Sequence, residues 1–256
     1  MKNIFGKPKE TLLAGLEHLD RDQLLYRVMP EFLMDIMTRY FRLEIVGEEH
    51  LPKKGRLLIT PNHSGYSGFD AMILTHILKK ITGRAPRVLT HHLWFLTQTT
   101  SLPAHKLGFV EATRENGLKF LKRNQQVVIF PEGENGNFKP SSQAYHLQEF
   151  KRGFIRMALI TQTPIVPCLI IGAEETHINL KKLKLTKFLR GLVLPLPLNV
   201  IPLPAKWKIT FLEPITLPFP PSSADDREVV LELAQMVREK MQKALNHELK
   251  ERKSIY

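Results

Sequence analysis

The sequence predicts an α/β fold: a largely parallel or mixed central sheet flanked by helices, with N-terminal amphipathic helices and a C-terminal helix. Three observations carry this. Short runs rich in Val, Ile and Leu, bounded by Pro, Gly or Asn, alternate with stretches of helical period, the pattern of strand–helix crossovers. Of 256 residues, 43% are hydrophobic, enough for one sizeable core. Polar clusters stand directly after several apolar runs, at the strand ends where α/β proteins hold ligands.

Residues 10–41 read as helical. In "PEFLMDIMTRYF", Phe32, Leu33, Ile36, Met37 and Tyr40 recur at helical spacing and form one apolar face, which docks either on the rest of the protein or on a membrane. Pro30 suits a first helical turn and marks a break from the helix before it. The strand candidates are then "RLEIVG", "RLLIT", "PRVLT", "QVVIF", "IVPCLII" and "KITFL". Between them, "DAMILTHILKK", "ENGLKFLKRN" and "FKRGFIRMALITQ" read as helices. The chain ends in a long amphipathic helix. Its predicted N-cap is Ser223, with Asp225 and Asp226 in the positive first turn, and its buried stripe is Val230, Leu233, Val237, Met241 and Ala244. The boundaries expected are a helical, membrane-docking segment at 1–41, an α/β domain at 42–221, and the C-terminal helix at 222–256, packing on the same domain.

The formal net charge of +12 draws the chain to something anionic: nucleic acid, an acidic substrate or lipid headgroups. No basic-plus-aromatic pattern of a single-strand binder stands out, and a nucleic-acid partner is not expected. The single cysteine, Cys168, sits in an apolar run and reads as a small core hydrophobe. No signal-peptide-like region and no stretch of ~18 apolar residues is present, so no transmembrane helix is predicted. The longest greasy segment, "GLVLPLPLNVIPLPAKW", carries four prolines and cannot be a regular spanning helix. Just before it and overlapping it, "NLKKLKLTKFLRGLVLPLPL" sets Lys181, Lys182, Lys184, Lys187 and Arg190 among Leu and Phe, a basic, greasy surface suited to an anionic bilayer.

Four stretches carry candidate chemistry. In "LLITPNHSGYSGFDAMILTHILKK", His63 follows a strand and Asp70 precedes a helix as its predicted N-cap. Gly65 and Gly68 allow the loop to fold back so that the two side chains meet. An ionised Asp beside a His fixes the tautomer and stabilises the imidazolium; the plainer reading is an Asp that only caps and a His that only bonds backbone. In "VVIFPEGENGNFKP", Glu132 accepts hydrogen bonds from a hydroxyl or holds the loop. In "LGFVEATRENGLKFLKRN", Arg114 stands at a helix N-terminus, a good phosphate site or simply a surface partner for Glu111 or Glu115. In "PIVPCLIIGAEE", a core strand turns at Gly172. His91 and His92, with Trp94 and Phe95, belong to a pocket wall or the core, and no zinc motif is completed.

In this order "NHSGYSGFD", "GFVEATREN", "FPEGENG" and "PIVPCLIIGAEE" resemble the four sequence blocks of the glycerophospholipid acyltransferase superfamily, lysophosphatidic acid acyltransferase type. The resemblance covers roughly residues 42–215. It implies that His63 is the general base and Asp70 orients it, that Glu132 and Gly133 shape the acceptor site, and that Arg114 meets the acceptor's phosphate. It implies an acyl-CoA or acyl carrier protein thioester as co-substrate, with no other cofactor and no metal, and membrane lipid as partner. The expected location is cytoplasmic, peripherally at the inner face of a membrane. Two departures stand out. Six residues separate His63 from Asp70 where the family's usual block has four, and Glu134 and Asn135 replace the family's Thr-Arg after Glu-Gly. Acceptors left open are a lysophospholipid or a neutral hydroxyl such as diacylglycerol. A lipid esterase and a non-catalytic membrane-binding protein are the alternatives.

Overall fold

The computed structural model describes residues 20–63, 68–185 and 192–256. The chain is helical without a break from Arg21 to Tyr40, through Arg21–Gln23, the π turns of Leu24–Val28, and α1 (Met29–Tyr40). The break expected at Pro30 does not occur. The widened π turns end just before it, where the Met29 N–H bonds to the Leu24 carbonyl, five residues back, and Pro30 itself has no donor to satisfy.

The predicted apolar face of α1 splits. Met34 is buried and Met37 packs beside it, whereas Phe32, Leu33 and Ile36 point outward, Phe32 with 65% of its surface exposed. The reason is that α1 grips its neighbour partly through charge. Glu31 pairs with Lys79, and Asp35 with Lys80 and with His76 at 3.0 Å, all on α2 (Phe69–Thr82).

The central sheet has seven strands. These are β1 (Glu44–Val46), β2 (Leu57–Pro61), β3 (Arg87–Thr90), β4 (Phe109–Glu111), β5 (Gln126–Ile129), β6 (Ile165–Ile171) and β9 (Lys208–Phe211), in the order β1-β9-β6-β2-β5-β3-β4. The five strands from β6 to β4 are parallel; β9 is antiparallel to β6, and β1 runs parallel to β9. The sheet is therefore mixed, with its parallel part in the middle. Both faces of that part are covered, so β2 and β6 are buried along their whole length and read as continuous apolar runs rather than alternating ones.

Side chains still alternate between the two faces. Leu58, Val127, Ile165 and Leu169 face one core, shared with α4 (Arg114–Lys122), α5 (Gly153–Thr161) and α6 (Arg227–Glu251). Leu57, Ile59, Val128, Val166 and Cys168 face the other, shared with α1, α2, Phe41 and Trp207. Burial pushes the Cys168 thiol up, as expected of a core residue. In the first core Phe154 is fully buried, its ring edge-on to Phe150 at 6.0 Å. Phe154→Ala removes that packing and leaves a cavity; the expected loss is about 3–5 kcal/mol of unfolding free energy, read from urea denaturation.

The N-cap of α6 is Asp226, whose carboxylate accepts from the Glu228 and Val229 N–H groups at 2.9 and 3.2 Å. The predicted cap, Ser223, is taken up in a preceding 3₁₀ turn, Pro221–Ala224. The buried stripe comprises Val230, Leu233, Val237, Met241 and Leu245, with Ala244 at its margin. The basic segment forms part of a separate two-stranded antiparallel hairpin, β7 (Asn179–Leu185) with β8 (Leu192–Pro197), in register Leu185 to Leu192. Lys181, Lys182 and Lys184 lie on β7; Lys187 and Arg190 lie outside the described residues. A further helix, α3 (Gln98–Lys106), precedes β4.

Candidate active site

The parallel strands deliver their polar residues to one edge of the sheet. Asn62, fully buried, follows β2 and clamps its exit to β6: its amide donates to the Ile170 carbonyl at 3.0 Å and accepts from the Ile170 N–H at 2.7 Å. His63 comes next. Its Nδ1 lies 2.6 Å from Asp70 Oδ2, and its ring packs against Phe130 with centroids 4.1 Å apart. The Asp70 carboxylate is fully buried, while the His63 side chain keeps 16% of its surface exposed.

Asp70 is not the N-cap of α2. Gly68, at φ 71°, holds that position, and Asp70 is the second helical residue, with Oδ1 accepting from the Ala71 N–H at 2.8 Å. The shift by two residues leaves Oδ2 aimed at the imidazole. A carboxylate oxygen facing Nδ1 accepts there, which fits the tautomer with its proton on Nδ1. Among the described residues no hydrogen bond engages Nε2, and the ring keeps part of its surface exposed.

Glu132 supplies the third contact. It is fully buried after β5, with Oε1 accepting from the His63 N–H at 2.9 Å and Oε2 from the Gln148 N–H at 2.7 Å. The sequence left Glu132 two roles, accepting from a hydroxyl or holding the loop, and the resemblance placed it in the acceptor site. Both oxygens accept backbone N–H groups here, one of them that of His63, an arrangement that fits the loop-holding role. Gly136 is required beside it, since a Cβ there would lie 2.5 Å from the Glu132 Cβ.

Gly133 follows at φ 55°, and a Cβ on it would approach Lys151 Nζ to 2.8 Å. Glu134 pairs with His91, whose pKa is lowered mainly by burial, with Glu134 opposing. Trp94 is 59% exposed, which removes it from the core and sets it at the surface beside this edge.

Arg114 opens α4, capped by Thr113, which accepts from the Asn116 N–H at 3.1 Å. It follows β4, three strands from β2 in the sheet order. At about 4.8 Å per strand this sets its backbone roughly 14 Å from that of His63. His63, Asp70 and Glu132 are thus brought into direct contact, Gly133 adjoins them, and Arg114 stands at the far side of the edge. Asn62, Gln148, Lys139 and Glu174 were not singled out in the sequence. Asn62 and Glu174 lie inside quoted blocks, but nothing local marks a partner 108 residues away.

Behind Glu132, Lys139 lies 3.6 Å from Glu132 Oε2 and 2.9 Å from Glu174 Oε1. Burial raises the Glu174 pKa from 4.5 to about 7, with Lys139 opposing. A folded-state pKa above the unfolded value means the native state binds more protons between about 4.5 and 7. In that window Glu174 makes stability fall as pH rises. Glu174→Gln removes the contribution, so its plot of unfolding free energy against pH, from urea titrations, is expected to be less negative in slope than wild type, by at most about 1.4 kcal/mol per pH unit.

The Acyltransferase family profile matches residues 42–171, a span that holds His63, Asp70, Arg114, Glu132, Lys139 and Gln148 and stops short of Glu174. An uncharacterized protein of Mycobacterium tuberculosis is 36% identical over 230 residues, 85% of this chain and 64% of that protein. The chain therefore spans about two thirds of the length of its mycobacterial relatives. A probable 1-acyl-sn-glycerol-3-phosphate acyltransferase of Mycoplasma pneumoniae is 26% identical over 70% of this chain and 66% of its own. The crystal structure of the 1-acyl-sn-glycerophosphate acyltransferase PlsC from Thermotoga maritima superposes with a TM-score of 0.59 at 18% identity, covering 96% of this chain and 89% of that one. The last likeness establishes the shared fold.

Proposed function

We propose that this chain, which belongs to the Acyltransferase family, moves a fatty acyl group from a thioester donor, acyl-CoA or acyl carrier protein, to a hydroxyl of a lysophospholipid. The observation that carries this reading is the His63–Asp70 contact at 2.6 Å, made through Nδ1, on a part-exposed ring. The acceptor hydroxyl binds against Nε2. As its oxygen attacks the thioester carbonyl, the proton passes to the ring, and buried Asp70 stabilises the imidazolium that forms. The tetrahedral intermediate collapses with loss of the thiolate, which takes the proton from Nε2. One C–O bond forms, one C–S bond breaks, and the ring returns neutral. The acceptor is itself the nucleophile, so no acyl-enzyme is needed.

Arg114 is the proposed partner for an anionic headgroup. Gly133 gives close backbone approach at the edge between it and His63. A neutral acceptor is favoured by one feature: Glu134, paired with His91, occupies the place where the family pattern has Thr, and the Arg after it is Asn135 here. The deciding experiment offers lysophosphatidate, lysophosphatidylcholine, lysophosphatidylethanolamine and diacylglycerol with each thioester donor, and identifies products by mass. Free fatty acid as the main product from every mixture would replace transfer by hydrolysis, and no turnover of any donor would sink the reading.

Such acceptors live in bilayers, so we place the chain peripherally at the cytoplasmic face of a membrane. No helix among the described residues is long and apolar enough to cross one. Support comes from the exposed Phe32, Leu33 and Ile36 on α1, the basic hairpin, and the charge of +12. Replacing Phe32 and Ile36 together by Ser removes two insertable side chains and is expected to weaken partition onto anionic vesicles by about tenfold or more, measured by co-sedimentation. Salt weakens it further through the basic groups.

A further inference from the structure

A second layer of charge lies under the catalytic edge, and its path across the sheet is specific. The strand carrying His63, β2, sits between β6 and β5. Glu132 follows β5. Glu174 lies in the turn Ala173–Thr176 that follows β6. Lys139 joins the two carboxylates, at 3.6 and 2.9 Å, and so bridges the ends of the strands that flank β2. All three side chains are almost wholly buried, the Lys139 side chain at 2% exposure.

The bridge is tied in at each end. Glu132 accepts the His63 N–H at 2.9 Å and the Gln148 N–H at 2.7 Å, and Glu174 Oε2 accepts the Tyr145 N–H at 3.0 Å. Lys139 Nζ also approaches the His146 carbonyl at 3.5 Å. Beside it lies a cavity of about 10 Å³ lined by Asn137, Lys139, Glu174, His177 and Asn179. That is room for about one water molecule and not for a headgroup.

A buried ion pair adds little stability over an apolar replacement of the same shape, because desolvation offsets the attraction. What it supplies is direction. Oε1 accepts the His63 N–H and Oε2 the Gln148 N–H, while the Lys139 ammonium stands 3.6 Å from Oε2. Its charge favours the carboxylate placed on that side, the placement in which Oε1 meets the His63 peptide.

We propose that Lys139 and Glu174 are positioning residues for acyl transfer: by orienting Glu132 they hold the His63 peptide where Nε2 meets the acceptor hydroxyl. The inference rests on His63 being the base, yet it also has a consequence for the backbone that does not depend on activity. Lys139→Met keeps the length and loses the charge. Its His63 amide is expected to exchange with deuterium roughly tenfold faster, while the β2 and β6 amides keep their protection. Its kcat is expected to fall roughly tenfold to a hundredfold with the donor KM little changed, since a small misplacement of a reacting group costs that much. Lys139→Arg, which keeps the cation, is expected to recover most of both.

If the unpaired Glu174 prevents Lys139→Met from folding, the double variant Lys139→Met/Glu174→Gln removes the cation together with that ionisable partner and carries the same expectations. A folded variant with wild-type His63 exchange and kcat within twofold overturns the proposal. Wild-type protein that turns over no donor overturns the assigned reaction instead, and the exchange measurement still decides whether Lys139 holds the loop.

Discussion

His63→Ala lowers acyl transfer by about 10²–10⁴-fold, the usual contribution of a positioned general base. The acceptor hydroxyl is a poor nucleophile while it keeps its proton, and the His63 imidazole, held by Asp70 through Nδ1, is the proposed group to take it. The loss falls on kcat, because the ring contributes more in the transition state than in substrate binding. Donor affinity, measured by calorimetry with a non-transferable acyl-CoA analogue, stays near wild type. The fold survives as well: the ring is part-exposed, and the peptide N–H that bonds to Glu132 at 2.9 Å is still present in alanine. Added imidazole restores part of the rate if the vacated space admits it. Undiminished transfer by a folded His63→Ala protein would remove the base from the mechanism.

Much of this architecture could be read from the chain. The six strands expected from Val/Ile/Leu runs all occur, and the three internal helices lie where the period of 3.6 sets them. Those features are local: a buried parallel strand is apolar along its length, and a two-sided helix repeats every turn. His63 and Asp70 were legible for the same reason, since one loop joins them.

What escaped was set by partners distant in sequence. Glu132 turns inward because its two acceptors meet N–H groups 69 and 16 residues away. Lys139 and Glu174 each lie in an ordinary polar turn until β5 and β6 are set on either side of β2. The strand order β6-β2-β5-β3-β4 also sets the strand that precedes Arg114 three places from the one that precedes His63, and no single sequence states that order. Local competition misled in two places. Asp226 displaced Ser223 as the cap of α6 because a 3₁₀ turn consumed the serine, and Gly68 took the cap of α2 because its left-handed backbone, φ 71°, closes the long loop. Charge decided what the sequence had left open between body and membrane: Glu31 and Asp35 bind α2, so Phe32, Leu33 and Ile36 of α1 are turned away from the body.

Asp70→Asn separates the charge of the pair from its shape. The amide is isosteric with the carboxylate, and its carbonyl oxygen can still accept from the Ala71 N–H, now met at 2.8 Å. That leaves the NH₂ group facing His63 Nδ1, at the place where Oδ2 stands at 2.6 Å. Two donors cannot face each other, so the ring moves its proton to Nε2 and accepts at Nδ1. The nitrogen turned toward the acceptor then donates and cannot take a proton. The imidazolium that must form also loses its buried counter-charge. The two losses act on the same step and predict a fall in kcat of about 10²–10⁴-fold, with little change in stability. Nitrogen-15 chemical shifts of the His63 ring report the tautomer directly, with the proton on Nδ1 in wild type and on Nε2 in Asp70→Asn. A variant that keeps Nδ1 protonated and transfers acyl groups at the wild-type rate would show that Asp70 serves the helix alone.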